Sequence, residues 1–223
     1  TAYVDTALNM HFRKMGVHTN AETQEDVIIA RNYGAEGIGL FRTEHMFYGK
    51  NSEEPLFKLR KMIHSKSEAE RIDALNELFP HVKHDVKGTM AAMDGYPVTF
   101  RTLDPPLHEF VPTRVDEREK LASSLGISLE ELNKRADALH ENNPMMGHRG
   151  VRLGITYPEI TEMQVRAIFE ATAELLQEGK KPFPEIMIPV TCHVNEINHQ
   201  YEIVTKVHAE VCAKFGLKKI AHL

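Results

Sequence analysis

Short apolar runs that end on an arginine alternate with longer amphipathic segments, and this alternation restricts the possible folds more than any other feature. Gly37-Ile-Gly-Leu-Phe closes on Arg42, and Pro97-Val-Thr-Phe closes on Arg101. Such runs suit buried strands, and the segments between them are long enough for crossover helices, so the pattern predicts β/α units around a parallel sheet. A first strand is expected near Met15 to Thr19. A helix follows from about Thr23, where Thr-x-x-Asp matches a capping arrangement and Gly34 supplies the stop. Residues 67–95 read as mostly helical, with Leu75, Leu78 and Phe79 on one side and Pro80 interrupting or restarting the helix. The third strand, Pro97 to Leu103, leads into a helical excursion from Asp104 to Pro144 that contains a capping box at Ser128-Leu-Glu-Glu. Val151 to Ile155 is expected as a fourth strand, before a helix with Pro158 in its first turn and Met163, Ile168, Ala171 and Leu175 facing inward. Ile186 to Thr191 reads as a fifth strand. A last helix carries Ile197, Tyr201, Val204, His208 and Val211 to Gly216, and Ile220 to Leu223 approach a sixth strand.

The 223 residues, 42% hydrophobic, suffice for one sizeable core, and 1–223 is read as one domain. Lys+Arg at 27 against Asp+Glu at 32 gives a net charge of -5, with no basic cluster interleaved with aromatics, which argues against a nucleic-acid partner. No apolar run approaches the roughly 20 residues of a membrane span, and the first residues lack the basic and apolar regions of a signal peptide. No membrane association is expected. Two cysteines, Cys192 and Cys212, are too few for a disulfide framework and suit a reducing, cytoplasmic setting. Thirteen histidines are scattered, and without His-Glu-x-x-His they predict no zinc site. Cys192 reads as a buried or half-buried bystander.

A planar guanidinium is costly to bury, yet its five donors match a phosphate or carboxylate edge in bidentate fashion. Two strand-end arginines therefore point to a pocket for a small, anionic, phosphorylated ligand. The alternative for Arg42 is a salt bridge to Glu44 or Asp104.

Four segments carry a resemblance: Gly34-Ala-Glu-Gly-Ile-Gly-Leu-Phe-Arg-Thr-Glu-His-Met, Arg101-Thr-Leu-Asp-Pro-Pro-Leu-His-Glu-Phe, Asn143-Pro-Met-Met-Gly-His-Arg-Gly and Met187-Ile-Pro-Val. Together they resemble the phosphoenolpyruvate/pyruvate-binding barrel of the pyruvate, phosphate dikinase family. The resemblance implies an α/β fold, a partial (β/α)8 TIM barrel of about the first five β/α units with a helical excursion after strand 3. The chain is thus expected to be a fragment, inactive alone, with open sheet edges that favour a homo-oligomer. The resemblance places Arg42 and Arg101 on the phosphoryl and carboxylate groups of phosphoenolpyruvate, at the C-terminal mouth of the barrel. Arg149 joins them as a third contact, its alternative being to hold the loop, while Arg152 stands evenly between those two roles. Glu44 and Asp104 would orient the guanidinium groups, with His148 behind them as a hydrogen-bond spacer.

The family's proton-donating cysteine lies in a Cys-Gly-Glu setting and its magnesium carboxylates in Met-Ile-Glu and Thr-Asn-Asp runs, none of which occurs in this chain. Magnesium is accordingly expected in the parent protein, on ligands outside these residues. The parent activity implied is conversion of ATP, pyruvate and phosphate to AMP, phosphoenolpyruvate and pyrophosphate through a phosphohistidine. The partners are phosphoenolpyruvate or pyruvate and the parent's phosphohistidine and nucleotide-binding domains. Phosphoenolpyruvate synthase or the phosphotransferase-system enzyme I barrel, and a non-catalytic anion-binding or assembly module, remain as alternatives.

Overall fold

The computed structural model describes residues 15–48, 52–140 and 142–220. Strands β1 (His18–Ala21), β2 (Gly37–Arg42), β3 (Pro97–Arg101) and β4 (Phe183–Met187) lie side by side in chain order, and every neighbouring pair is parallel. A parallel step requires a crossover connection, and helices supply each one. Helix α1 (Gln24–Asn32) joins β1 to β2, and α2 (Glu53–Ile63) and α3 (Glu68–Ala92) join β2 to β3. Between β3 and β4 come α4 (Val115–Leu125), α5 (Leu129–Ala138), α6 (Val151–Thr156) and α7 (Pro158–Gln177), and α8 (Val194–Phe215) follows β4. The architecture is an arc of a (β/α) barrel, with α4 and α5 forming the excursion after β3.

Local chemistry sets the helix starts. Thr23 and Asp26 form the expected reciprocal capping box on α1, and Ser128 accepts the Glu131 N–H at 3.1 Å to start α5. Pro80 does not break its helix. It lies inside a continuous α3, because Leu75, Leu78, Val82, Val86 and Met90 form one inward row whose burial outweighs the single backbone bond a proline removes. Ile160, Met163, Ala167, Ile168, Ala171 and Leu175 of α7 share that core cluster. The opposite side of α7 is apolar too, and Val165, Phe169 and Ala173 pack with Val204, Val207 and Val211 of α8. α7 is therefore the central helix, buried on two faces.

The expected fourth strand at Val151 to Ile155 is instead helix α6, so the described sheet has four strands where five are expected. Periodicity cannot distinguish a short buried helix from a short buried strand, and here the flanking contacts decide. Gly150 caps α6 at φ +55°, where a Cβ would stand 2.9 Å from the Pro189 carbonyl oxygen. Val151 N–H donates to that same oxygen at 3.0 Å. Gly154 then seats α6 against α7 and α8, since a Cβ there would meet Thr161 Oγ1 at 2.7 Å and Gln200 Oε1 at 2.8 Å. The other strands differ only in their ends: β1 begins at His18, and β4 begins at Phe183, three residues before the expected Ile186. Ile220 is buried with the α8 valines, while Ala221 to Leu223, the expected approach to a further strand, lie outside the described residues. Among the described residues no helix is long and apolar enough to cross a membrane.

One buried group makes the fold sensitive to acid. His64 caps the C-terminus of α2 at 2% exposure, and neither ring nitrogen has a hydrogen-bond partner. Arg135 of α5 donates to its backbone carbonyl. Burial, reinforced by Arg135, Arg118 and Arg60, pushes the imidazole down to about 4 from the usual 6.5. Above pH 6.5 both folded and unfolded chains hold this ring neutral, and its contribution is fully present. As pH falls from 6.5 to 4 the unfolded chain takes up a proton that the folded chain refuses, so stability drops by about 3 kcal/mol across that window and then levels. Urea unfolding at pH 7.0, 5.5 and 4.5 should therefore show His64→Leu losing less stability than the parent chain as pH falls. Equal losses would mean that His64 does not titrate between the two states.

Candidate functional site

The site is built by a register shift. Ile38 pairs with Val98, but Phe41 pairs with Phe100 and Arg42 with Arg101, so β2 carries one more residue than β3 over the same rise. The same shift occurs against β1, where Thr19 faces Ile38 and Asn20 faces Leu40. The extra residue lies at Gly39, whose missing side chain suits a bulge, since a Cβ there would stand 3.3 Å from His18 Cβ. Without the bulge Arg42 would stand beside Thr102. With it, the two arginines are immediate neighbours on adjacent strand ends and share one side of the sheet. Phe41 and Phe100 turn the other way and pack edge to face with centroids 5.5 Å apart, which locks the paired strands beneath the charges.

Each guanidinium has carboxylate partners. Arg101, 17% exposed in its side chain, is held by Glu44 and by Asp104, the latter at 3.0 Å. Arg149 reaches Asp104 from a separate loop, with Nη2 at 2.6 Å and Nε at 3.3 Å from its two oxygens. That loop is stitched into place where Gly150 N–H donates to the Asp104 carbonyl at 3.1 Å. Arg42 pairs with Glu22, and Glu22 also lies 2.9 Å from His45 Nδ1. The partner proposed for Arg42 from the sequence, Glu44 or Asp104, is thus corrected to Glu22, because Ala21 pairs with Phe41 and brings the next residue alongside Arg42. Two polar atoms in the cluster, Arg101 Nε and Glu44 Oε2, are buried and unpartnered.

The remaining candidates spread out. Arg152 donates to the Met146 and Gly147 carbonyls at 2.6 and 3.0 Å, holding the loop that carries Arg149. His148 bonds Thr156 Oγ1 at 2.9 Å and lies against Tyr157, contacts that tie it to the α6 side. Cys192 is exposed rather than buried or half-buried, because it precedes α8 where its N–H caps outward onto Glu196 at 2.7 Å. Nearby Val190, at φ +60°, is a β-branched residue in the left-handed region three residues beyond the end of β4. Among the described residues no group of three or more His, Cys, Asp or Glu side chains is placed to hold a metal ion. Glu44 and Asp104, the carboxylates nearest the arginines, are already engaged by them, so this donor set does not fit a divalent cation. Sequence reasoning missed Glu22, His45 and Gln164, although an isolated glycine inside the second apolar run is a recognised sign of a bulge.

A family model described as "PEP-utilising enzyme, PEP-binding domain" matches residues 3–221. The chain belongs to that family. Among its relatives, the chain is 47% identical over 213 residues to pyruvate, phosphate dikinase of Clostridium symbiosum, covering 95% of the chain and 24% of the relative. It is 47% identical over 205 residues to pyruvate, phosphate dikinase of Giardia intestinalis, covering 92% and 23%, and 46% identical over 206 residues to the chloroplastic enzyme of Mesembryanthemum crystallinum, covering 92% and 22%. The chain therefore spans about a quarter of the length of these relatives.

Three guanidinium groups, Arg42, Arg101 and Arg149, face three carboxylates, Glu22, Glu44 and Asp104, so the cluster is formally neutral as folded. An incoming anion must compete with the carboxylates for each arginine. The Arg42–Glu22 pair is the easiest to open, since both side chains are about one-third exposed and such pairs contribute about 1 kcal/mol or less. Glu22→Gln should accordingly tighten binding of inorganic phosphate by up to about fivefold, measured by NMR titration of the arginine side-chain resonances. Weaker binding in that variant would mean that Glu22 orients Arg42 rather than masking it.

Proposed function

We propose that this domain supplies the arginine half of a phosphoenolpyruvate/pyruvate site in a pyruvate, phosphate dikinase. The observation that carries the reading is the in-register pair Arg42 and Arg101, joined through Asp104 by Arg149. Arg42 and Arg101 grip the phosphoryl and carboxylate groups, and Arg149 adds a third contact. In the parent protein the phosphoryl group passes between a phosphohistidine on another domain and the enolate oxygen of pyruvate. Such a transfer leaves the protein little covalent work, so positioning and charge stabilisation dominate, and a bidentate fork on each end of the substrate provides both. Magnesium, which the family resemblance implies for the parent, would supply further charge stabilisation from ligands outside this chain.

Because the cluster is neutral as folded, the isolated domain should bind phosphoenolpyruvate only at about millimolar concentration, roughly -4 kcal/mol. Calorimetric or NMR titration of the chain against Arg42→Ala/Arg101→Ala tests this, and identical behaviour of the two would overturn the assignment. In the full-length enzyme, Arg101→Lys keeps the charge but loses the planar fork. It should depress phosphoenolpyruvate formation strongly while sparing ATP/AMP exchange through the phosphohistidine. An equal fall in both half-reactions would make Arg101 a structural residue.

The same reading makes this chain self-associate. Its sheet edges are flanked by exposed apolar side chains, Val17, Ile29 and Tyr33 beside β1 and Phe183, Met187 and Tyr201 beside β4. Sedimentation at micromolar concentration should show dimers or larger species, and a monomer throughout would refute the expectation.

A further inference from the structure

Gln164 lies on α7 between Met163 and Val165, which pack into different apolar clusters. It is 5% exposed and engages both ends of its amide. Leu103 N–H donates to Gln164 Oε1 at 3.0 Å, and Gln164 Nε2 donates to Thr43 Oγ1 at 3.0 Å. Thr43 Oγ1 in turn donates to the Arg101 carbonyl at 2.9 Å. This relay has one consistent donor order. The Leu103 N–H can only donate and the Arg101 carbonyl can only accept, so the amide must present its oxygen to Leu103 and its nitrogen to Thr43.

Each of the strand-end groups in the relay adjoins a charge of the arginine cluster. Thr43 stands between Arg42 and Glu44, Arg101 supplies the carbonyl itself, and Leu103 precedes Asp104. The relay also acts just beyond the bulge at Gly39, where the β2–β3 register has to be held against a one-residue slip that would set Arg42 beside Thr102. A buried amide at an ordinary core position costs more than leucine unless its hydrogen bonds are made, and here they link Thr43, just after Arg42, to Leu103, two residues after Arg101.

We propose that Gln164 is a positioning residue for the anion site, holding Arg42 and Arg101 at the spacing that lets both forks address one ligand. This inference rests on the phosphoenolpyruvate reading for its ligand but not for its geometry. Gln164 touches no substrate in this assignment. It acts through Thr43 and the two strand ends, and loss of the relay frees Arg42 to drift relative to Arg101, a misplacement that oriented recognition does not tolerate.

Four variants test it: Gln164→Met, which keeps volume and removes both bonds; Thr43→Val, which removes only the hydroxyl; Thr43→Ser, which restores it; and Val207→Ala, a core truncation between α7 and α8 away from the relay. Two readouts are taken on each, the Nε–H resonances of Arg42 and Arg101 in the ligand-free chain and the affinity for phosphoenolpyruvate. Gln164→Met and Thr43→Val should move both resonances and weaken binding about tenfold, whereas Thr43→Ser and Val207→Ala should match the parent chain. Unchanged arginine resonances in folded Thr43→Val, or equal shifts in Val207→Ala, would overturn the proposal. If the parent chain binds no phosphoenolpyruvate, the functional reading fails, and the ligand-free resonances still decide whether Gln164 positions the arginines.

Discussion

A guanidinium taken most of the way out of water must be matched by carboxylates, and the environment of Arg101 follows from that requirement. Its side chain is held by Glu44 on one side and Asp104 on the other, both nearly buried. Asp104 is shared with Arg149, which draws in the loop before α6, and that loop places Gly150 and Val151 against the Asp104 and Pro189 carbonyls that follow β3 and β4. Removing one carboxylate would leave an uncompensated charge in a poorly solvated place, a larger loss than the pair itself contributes. The ion cluster thus organises three separate stretches of chain.

Beneath the charges the same strands are held by apolar contacts and by one buried amide. Phe41 and Phe100 fix the helix-facing side of β2 and β3, while Gln164 ties their ends on the way to the cluster. α7 connects these roles, because it packs on α3 and on α8 and carries Gln164 between those two faces. Polar residues on so buried a helix need partners. Glu170 finds Lys83 and Lys214, and Gln164 finds the strand ends. The helix that carries the largest share of the apolar packing therefore also sets the geometry of the polar site.

Much of the fold was legible because it is local. The capping pair Thr23 and Asp26, the Ser128 cap and the inward rows of α3 and α7 all follow from spacings within a few residues. The strand-end arginines were legible for the same reason, and the resemblance around them agrees with the family match over residues 3–221. What was not legible depended on long-range geometry. Val151 to Thr156 has the composition of a strand, and its helical state is matched by contacts with Thr161 in the next helix and with Pro189 and Gln200 much further along the chain. Pro80 looked like a break for the opposite reason, since a local rule was overridden by an inward row extending on both sides of it.

The chain's own order of residues determined that arginines would end two parallel strands, that carboxylates would be near at hand, and that helices would connect the strands. These are consequences of composition and spacing, because charge, side-chain length and periodicity travel with the sequence. Which carboxylate met which arginine was decided only in three dimensions. One extra residue at Gly39 turned the register so that Glu22 met Arg42 and Arg42 met Arg101, and Glu44 and Asp104 were left to Arg101 and Arg149. A bulge changes no residue, yet it exchanges every neighbour beyond it, and neighbours across a sheet are set by hydrogen-bond register rather than by distance along the chain.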